Sequence, residues 1–172
     1  MPYRNKTYVA FASEDLHYYR LMTAWRDNEK IDFDFLDAHN INTALDTSRP
    51  DTIRRRLRER LANTKQAVVL ISDTTKPKAA RSSSFLYYEI EVIARLNLPV
   101  VFVNLNGSRA VQSAKIPSTL ASQYSASVSF QPKIVQYALD EHVEDFYDNL
   151  AAKAPKTGAF YYKPAIYEKL GL

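Results

Sequence analysis

Two hydrophobic rhythms alternate along this chain. Four short apolar runs read as strands: Tyr8-Val9-Ala10-Phe11, Phe33-Asp34-Phe35-Leu36, Gln66-Ala67-Val68-Val69-Leu70-Ile71 and Pro99-Val100-Val101-Phe102-Val103-Asn104. A weaker fifth lies at Ala126-Ser127-Val128-Ser129-Phe130. Between the runs, apolar residues recur every three or four positions: Tyr18, Leu21, Met22 and Trp25, then Ile53, Leu57 and Leu61, and finally Val135, Leu139, Val143, Phe146 and Leu150. Each set forms the core-facing stripe of a helix. The third and fourth runs lack the polar alternation of a half-solvated strand, so both of their faces must be covered. Alternating strands and helices with short connections predict a three-layer α/β sandwich around a five-stranded parallel sheet, in flavodoxin-like order. Residues 1–152 are expected to form this domain. Beyond Ala152 the periodicity fails, and the aromatic tail of residues 153–172 is expected to dock on the domain or on a partner.

One position breaks the helical rhythm. The segment from Phe85 to Leu96 reads as a helix, and at about 100° per residue Phe85, Leu86, Glu89, Ile90, Val92, Ile93 and Leu96 share one arc. Tyr87, Glu91 and Arg95 occupy the other. Glu89 therefore stands among core residues, whereas Glu91 is expected to face solvent. Burying an unpaired carboxylate costs several kcal/mol or forces its pKa upward, so Glu89 must find a partner or line a cleft. In open α/β sheets, ligands bind outside the carboxyl ends of the strands. That rule points to Ser13, Glu14 and Asp15, to residues 46–51 and 72–75, and to the start of the glutamate helix. Glu89 lies in the first turns of that helix, so it is expected to project near the ligand edge. A purely structural role, as a cap or as the partner of a neighbouring arginine, is the alternative.

Composition narrows the chemistry. With 172 residues, 46% of them hydrophobic, the chain suffices for one well-buried core. It has no cysteine, which excludes a disulfide framework, a thiolate metal site and a cysteine nucleophile, and matches usage in a reducing compartment. No apolar run approaches membrane-spanning length, and Met1-Pro2-Tyr3-Arg4-Asn5-Lys6 has no signal-peptide-like apolar stretch, so a cytoplasmic location is expected. Gly107, Gly158 and Gly171 are the only glycines, which excludes a P-loop or a GxGxxG turn. His17, His39 and His142 lack the spacing of a helical zinc pair and read as surface or satisfied core residues. The net charge of +4 is unevenly spread: Arg49, Arg54, Arg55, Arg56, Arg58 and Arg60 fall within twelve residues. They read as a solvated helix face or as a docking surface for an acidic partner or a nucleotide phosphate. No aromatic residues interleave with them to stack bases, so nucleic acid is not expected.

Several of these segments carry a resemblance. Phe11-Ala12-Ser13-Glu14-Asp15 after the first strand, Val69-Leu70-Ile71-Ser72 in the third, and Phe85-Leu86-Tyr87-Tyr88-Glu89-Ile90 are similar to the corresponding segments of TIR domains, particularly the TIR-like ThsB proteins of bacterial Thoeris antiphage systems. In that superfamily an aromatic residue, often tryptophan, precedes the catalytic glutamate by four positions and a branched aliphatic residue follows it. Phe85, Glu89 and Ile90 match this spacing, with phenylalanine in place of the commoner tryptophan. Residues 46–51 match the family's loop between second strand and second helix only loosely.

The resemblance implies cleavage of NAD at the nicotinamide–ribose bond, by hydrolysis or cyclisation, to make an ADP-ribose-type signal for a separate effector. NAD is then substrate, and no further cofactor or metal is implied. Glu89 would stabilise the oxocarbenium-like transition state and accept hydrogen bonds from ribose hydroxyls. Phe11 and Phe85 would enclose the planar rings, and Ser13, Asp46 or Arg49 would contact ribose or phosphates. The arginine-rich helix and the aromatic tail are the surfaces expected to meet a partner or a second copy. Two other readings stay open: a non-catalytic TIR-like adaptor, and a receiver-like module in which Glu14, Asp15 and Asp73 hold Mg²⁺ beside Lys133.

Overall fold

The computed structural model describes residues 6–34, 36–37 and 49–172. Its strands are β1 (Lys6–Ala10), β2 (Leu36–Asp37), β3 (Gln66–Ile71), β4 (Val100–Asn104), β5 (Ser125–Ser129) and β6 (Ala159–Tyr161). The helices are α1 (Leu16–Asp27), α2 (Pro50–Leu61), α3 (Thr75–Ala79), α4 (Phe85–Arg95), α5 (Pro132–Ala151) and α6 (Pro164–Lys169). All strands pair in parallel, in the order β2-β1-β3-β4-β5-β6. The first five follow the flavodoxin-like order expected from the sequence, and β3 and β4 lie in the interior as their apolar runs require.

Strand alternation divides the core in two. Tyr8, Ala10, Val69, Ile71, Val100 and Phe102 face α2 and α4. Val9, Val68, Leu70, Val101, Val103 and Val128 face α1 and α5. Each fully buried aliphatic side chain contributes roughly 1.5–3 kcal/mol, so two packed layers stabilise a sheet that neither helix layer alone could cover.

The second apolar run behaves differently from expectation. Phe33 packs edge-on against Trp25, with centroids 5.5 Å apart, and the Asp34 N–H donates to Gln136 Oε1 at 2.8 Å. Phe33 and Asp34 thus plug the core beneath α1, Phe35 lies outside the described residues, and β2 comprises Leu36–Asp37. In α1 the buried face runs through Tyr19, Met22 and Trp25, while Leu21 is exposed. Stacking of Tyr19 on Phe11, 4.9 Å between centroids, explains that rotation. Leu96 and Leu150 are likewise exposed, because each sits at a helix end where the packed layer has run out.

The tail completes the sheet. Residues of β6 pair with Ser125, Ala126 and Ser127 of β5, and α6 follows, with Tyr167 fully buried. The Tyr167 hydroxyl accepts from the Ser129 N–H at 3.3 Å, and the Arg109 guanidinium lies 4.3 Å from the ring centroid. Gly158 precedes β6 with φ +81, in the left-handed region that glycine tolerates best, and its N–H reaches Ser122 O at 2.9 Å.

His142 of α5 is fully buried beside Tyr124, Phe146 and Phe160. Among the described residues neither ring nitrogen makes a well-formed hydrogen bond, and the Tyr124 backbone is the polar group nearest to supplying one. Burial pushes its pKa down to about 4, with the Tyr124 backbone pulling weakly the other way. The unfolded chain then binds more protons than the folded one between pH 4 and 6.5. Stability is expected to fall through that window on acidification, by about 1.4 kcal/mol per pH unit from this group. On going from pH 7 to pH 4.5 the urea midpoint of His142→Leu should therefore shift upward relative to that of the wild type, which alone carries this acid-side loss.

Candidate functional site

Strand order sets the place to look. After β1 the chain turns to the α1 layer, and after β3 it turns to the α4 layer, so the two loops diverge at the carboxyl ends of neighbouring strands. This is the switch point at which flavodoxin-like sheets bind ligands.

The residues there form a polar network. Ser72 Oγ donates to Asp15 Oδ2 at 2.6 Å and shares a hydrogen bond with Thr74 Oγ1 at 2.9 Å. Thr75 Oγ1 accepts from the Ser72 N–H and donates to Leu70 O, both at 2.9 Å, which pins the β3 loop to its own strand. Lys78 of α3 bonds Glu14 Oε1 at 2.6 Å and reaches Ser13 Oγ at 3.3 Å, and it holds the Glu14 carboxyl below the usual range. Asp15 is buried beneath this layer, whereas Ser13 and Glu14 are exposed.

Glu89 lies deeper, on the α4 side of β1. Its residue is 2% exposed, and Tyr8 donates its hydroxyl to Glu89 Oε2 at 2.5 Å. Burial pushes the carboxyl up to about 8, and the Tyr8 hydrogen bond offsets only part of that effect. At neutral pH the side chain is therefore mostly a neutral acid. Tyr8 stands two residues before the end of β1, about 7 Å at roughly 3.3 Å per residue. Only Ala10 and Ala12 follow it on the same face of that strand. Small side chains thus separate the glutamate from the carboxyl edge along β1.

Sequence expectations meet this geometry unevenly. Glu89 is buried as its position on the arc requires, but the structure gives it a partner and does not open it to solvent. Glu91 is half-buried, not solvent-facing as expected: Arg54 Nε lies 2.9 Å from its Oε2, and Arg95 Nη2 lies 3.1 Å from its Oε1. Phe11 packs in the α1 layer and Phe85 against the α4 layer, so they do not face each other as two walls of one slot. Ser13 stands at the switch point, Arg49 is exposed just before α2, and Asp46 lies outside the described residues.

The receiver-like arrangement is not assembled. Asp73 is exposed and pairs with Lys115 at 2.9 Å, Glu14 pairs with Lys78, and Lys133 Nζ donates to Leu170 O. Among the described residues, no group of three His, Cys, Asp or Glu side chains converges on a metal position.

Ser72 lies in the 72–75 segment to which the sequence points, whereas Tyr8 and Lys78 enter the site only through the fold. For Tyr8 a signal was present in the sequence, since a strand tyrosine that shares a face with Ala10 and Ala12 buries a hydroxyl needing a partner.

No curated protein matches the chain. A family model described as Thoeris protein ThsB, TIR-like domain, matches residues 8–110. The matched stretch runs from β1 through β4 and contains Tyr8, Ser13, Asp15, Ser72, Lys78, Phe85 and Glu89. With more than half of its residues covered by that model, the chain belongs to the Thoeris ThsB family and carries its TIR-like domain.

Proposed function

We propose that this Thoeris-related protein cleaves NAD at the bond between nicotinamide and ribose, with Glu89 as the catalytic carboxylate. The observation that supports this reading most is a glutamate buried in the core and hydrogen-bonded by Tyr8, one short step from the switch point of the sheet. Cleavage develops positive charge on the ribose, and a carboxylate in a water-poor site stabilises that charge far more than one in water. The nicotinamide ring leaves as a neutral molecule from a cationic ring, so the leaving group needs no proton.

Each protein group has a part in this scheme. A cationic substrate arriving beside Glu89 favours the ionised carboxylate, and Tyr8 keeps a hydrogen bond on it. The network around Ser13, Asp15, Ser72 and Lys78 offers donors and acceptors for ribose hydroxyls and phosphates at the carboxyl edge. Without substrate the acid is covered, so a low basal rate is expected. The released ADP-ribose-type product, linear or cyclic, would act on a separate effector protein.

The covered Tyr8–Glu89 pair also suits a second reading, a TIR-like adaptor in which the glutamate serves the core alone. One assay separates them. Purified protein incubated with NAD should release nicotinamide, Glu89→Gln should release at least ~100-fold less, as expected for loss of a main electrostatic stabiliser, and Glu91→Gln should match the wild type. Equal rates in the three proteins would leave the adaptor standing.

A further inference from the structure

The switch point already holds an anion, and the chain itself supplies it. Ser13, Glu14 and Asp15 form a 3-10 turn directly after β1, closed by the Asp15 N–H on Ala12 O at 2.8 Å. Across the divide, Thr75 pins the start of α3 to the end of β3, and α3 extends Lys78 to that turn. Three side chains then close a ring. Lys78 Nζ lies 2.6 Å from Glu14 Oε1 and donates to Ser13 Oγ at 3.3 Å, and the Ser13 hydroxyl donates to Glu14 Oε2 at 3.4 Å. One cation and one hydroxyl thus converge on the two oxygens of a carboxylate, a donor set that suits a phosphate equally well. The hydrogen bond from Lys78 holds the Glu14 carboxyl below its ordinary range, so this occupant is charged at neutral pH. Both side chains are partly exposed, so a ligand at the carboxyl edge can reach them.

We propose that Lys78 and Ser13 form a phosphate subsite at the switch point and that Glu14 is its built-in competitor, displaced when a pyrophosphate-bearing nucleotide enters. That this nucleotide is NAD rests on the reading of Glu89 as its cleaving residue, whereas the competition itself does not. Exposed ion pairs are weak because water screens them, so a phosphate can displace the Glu14 carboxylate. The turn nevertheless tethers Glu14 beside Lys78, which keeps its effective concentration at the subsite high when no phosphate is near. A nucleoside without phosphates brings Lys78 no anion in exchange and leaves Glu14 in place. The pair therefore favours nucleotides over nucleosides.

Binding without turnover tests it. In titration calorimetry with ADP-ribose and with inorganic pyrophosphate, Glu14→Gln should bind both about 3- to 5-fold more tightly than the wild type, a gain limited by the weakness of an exposed pair. Lys78→Ala should bind both at least ~10-fold more weakly. Adding Glu14→Gln to Lys78→Ala should then gain nothing, because the two side chains act through each other. Asp148→Asn removes the same charge elsewhere and should match the wild type: α5 leads from β5 to the parallel β6, so its last turn lies at the amino end of the sheet. Circular dichroism on each variant checks that these exposed substitutions leave the fold intact. Three results would overturn the proposal: Glu14→Gln no tighter than Asp148→Asn, a gain that survives the loss of Lys78, or no pyrophosphate binding by Glu14→Gln. If the gain appears while the wild type releases no nicotinamide from NAD, the subsite stands and the NAD chemistry falls. If nicotinamide is released and the gain is absent, the competitor alone falls.

Discussion

Glu89→Gln should make this protein more stable than the wild type, by a margin that widens with pH. In the unfolded chain the Glu89 carboxyl titrates in the ordinary range near 4.5, and in the folded chain near 8. Between those values the folded state holds a proton that the unfolded state has lost. Wild-type stability from this group is therefore intact at low pH and falls as pH rises through the window, by about 1.4 kcal/mol per unit, levelling off above pH 8. Glutamine is neutral throughout and its amide oxygen can still accept the Tyr8 hydroxyl. The expected margin gained between pH 4 and pH 7 is about 3 kcal/mol. Urea unfolding of both proteins at pH 4.5, 6, 7 and 8 measures it, and parallel curves would show that the Glu89 carboxyl is not a buried acid.

The other large effect concerns the tail. Removing residues 153–172 strips Phe160, Ile166, Tyr167 and Leu170 from the layer that holds Ile134 and Val135, and leaves β5 as an open edge. Truncating a single buried large aromatic side chain to alanine typically costs about 3–5 kcal/mol. Loss of the whole tail is comparable with the roughly 5–15 kcal/mol that stabilises an ordinary domain. A chain ending at Ala152 should therefore fail to unfold cooperatively and should aggregate, since open strand edges pair with other chains. Tyr167→Ala in the full chain should still fold, at a thermal midpoint lower by roughly 6–20 °C. A truncated protein with a sharp, wild-type-like transition would show that the tail only decorates the domain.

The parts of this fold that were legible in the sequence are those where one strong period acts alone. Strands β3 and β4 are unbroken apolar runs, α4 has a clear arc, and each lies in the structure where its pattern put it. Patterns fail where tertiary contacts outweigh local ones. Phe33 reads like a strand residue, but the edge of Trp25 draws it into the core. Strand β6 has three residues and no alternation, and it exists because β5 offers an unpaired edge to the chain returning from α5. At the candidate site the odd glutamate on an apolar arc was readable from spacing. Its partner was not, because Tyr8 and Glu89 are far apart in sequence and only the packing of α4 across β1 brings them together. The pairing of Glu91 with Arg54 escaped for the same reason, since it depends on α2 and α4 lying side by side.

The central claim is that Glu89 ionises to do chemistry on NAD. It is tested most directly by following nicotinamide release from NAD between pH 6 and pH 9, for the wild type and Glu89→Gln side by side. Because the carboxyl titrates near 8 in the free protein, the wild-type kcat/KM should rise with pH across that range and level off above it. The Glu89→Gln protein should be nearly inactive at every pH while remaining folded. Release by Glu89→Gln at the wild-type rate, with the same pH profile, would contradict the account and return the glutamate to the core as a structural residue.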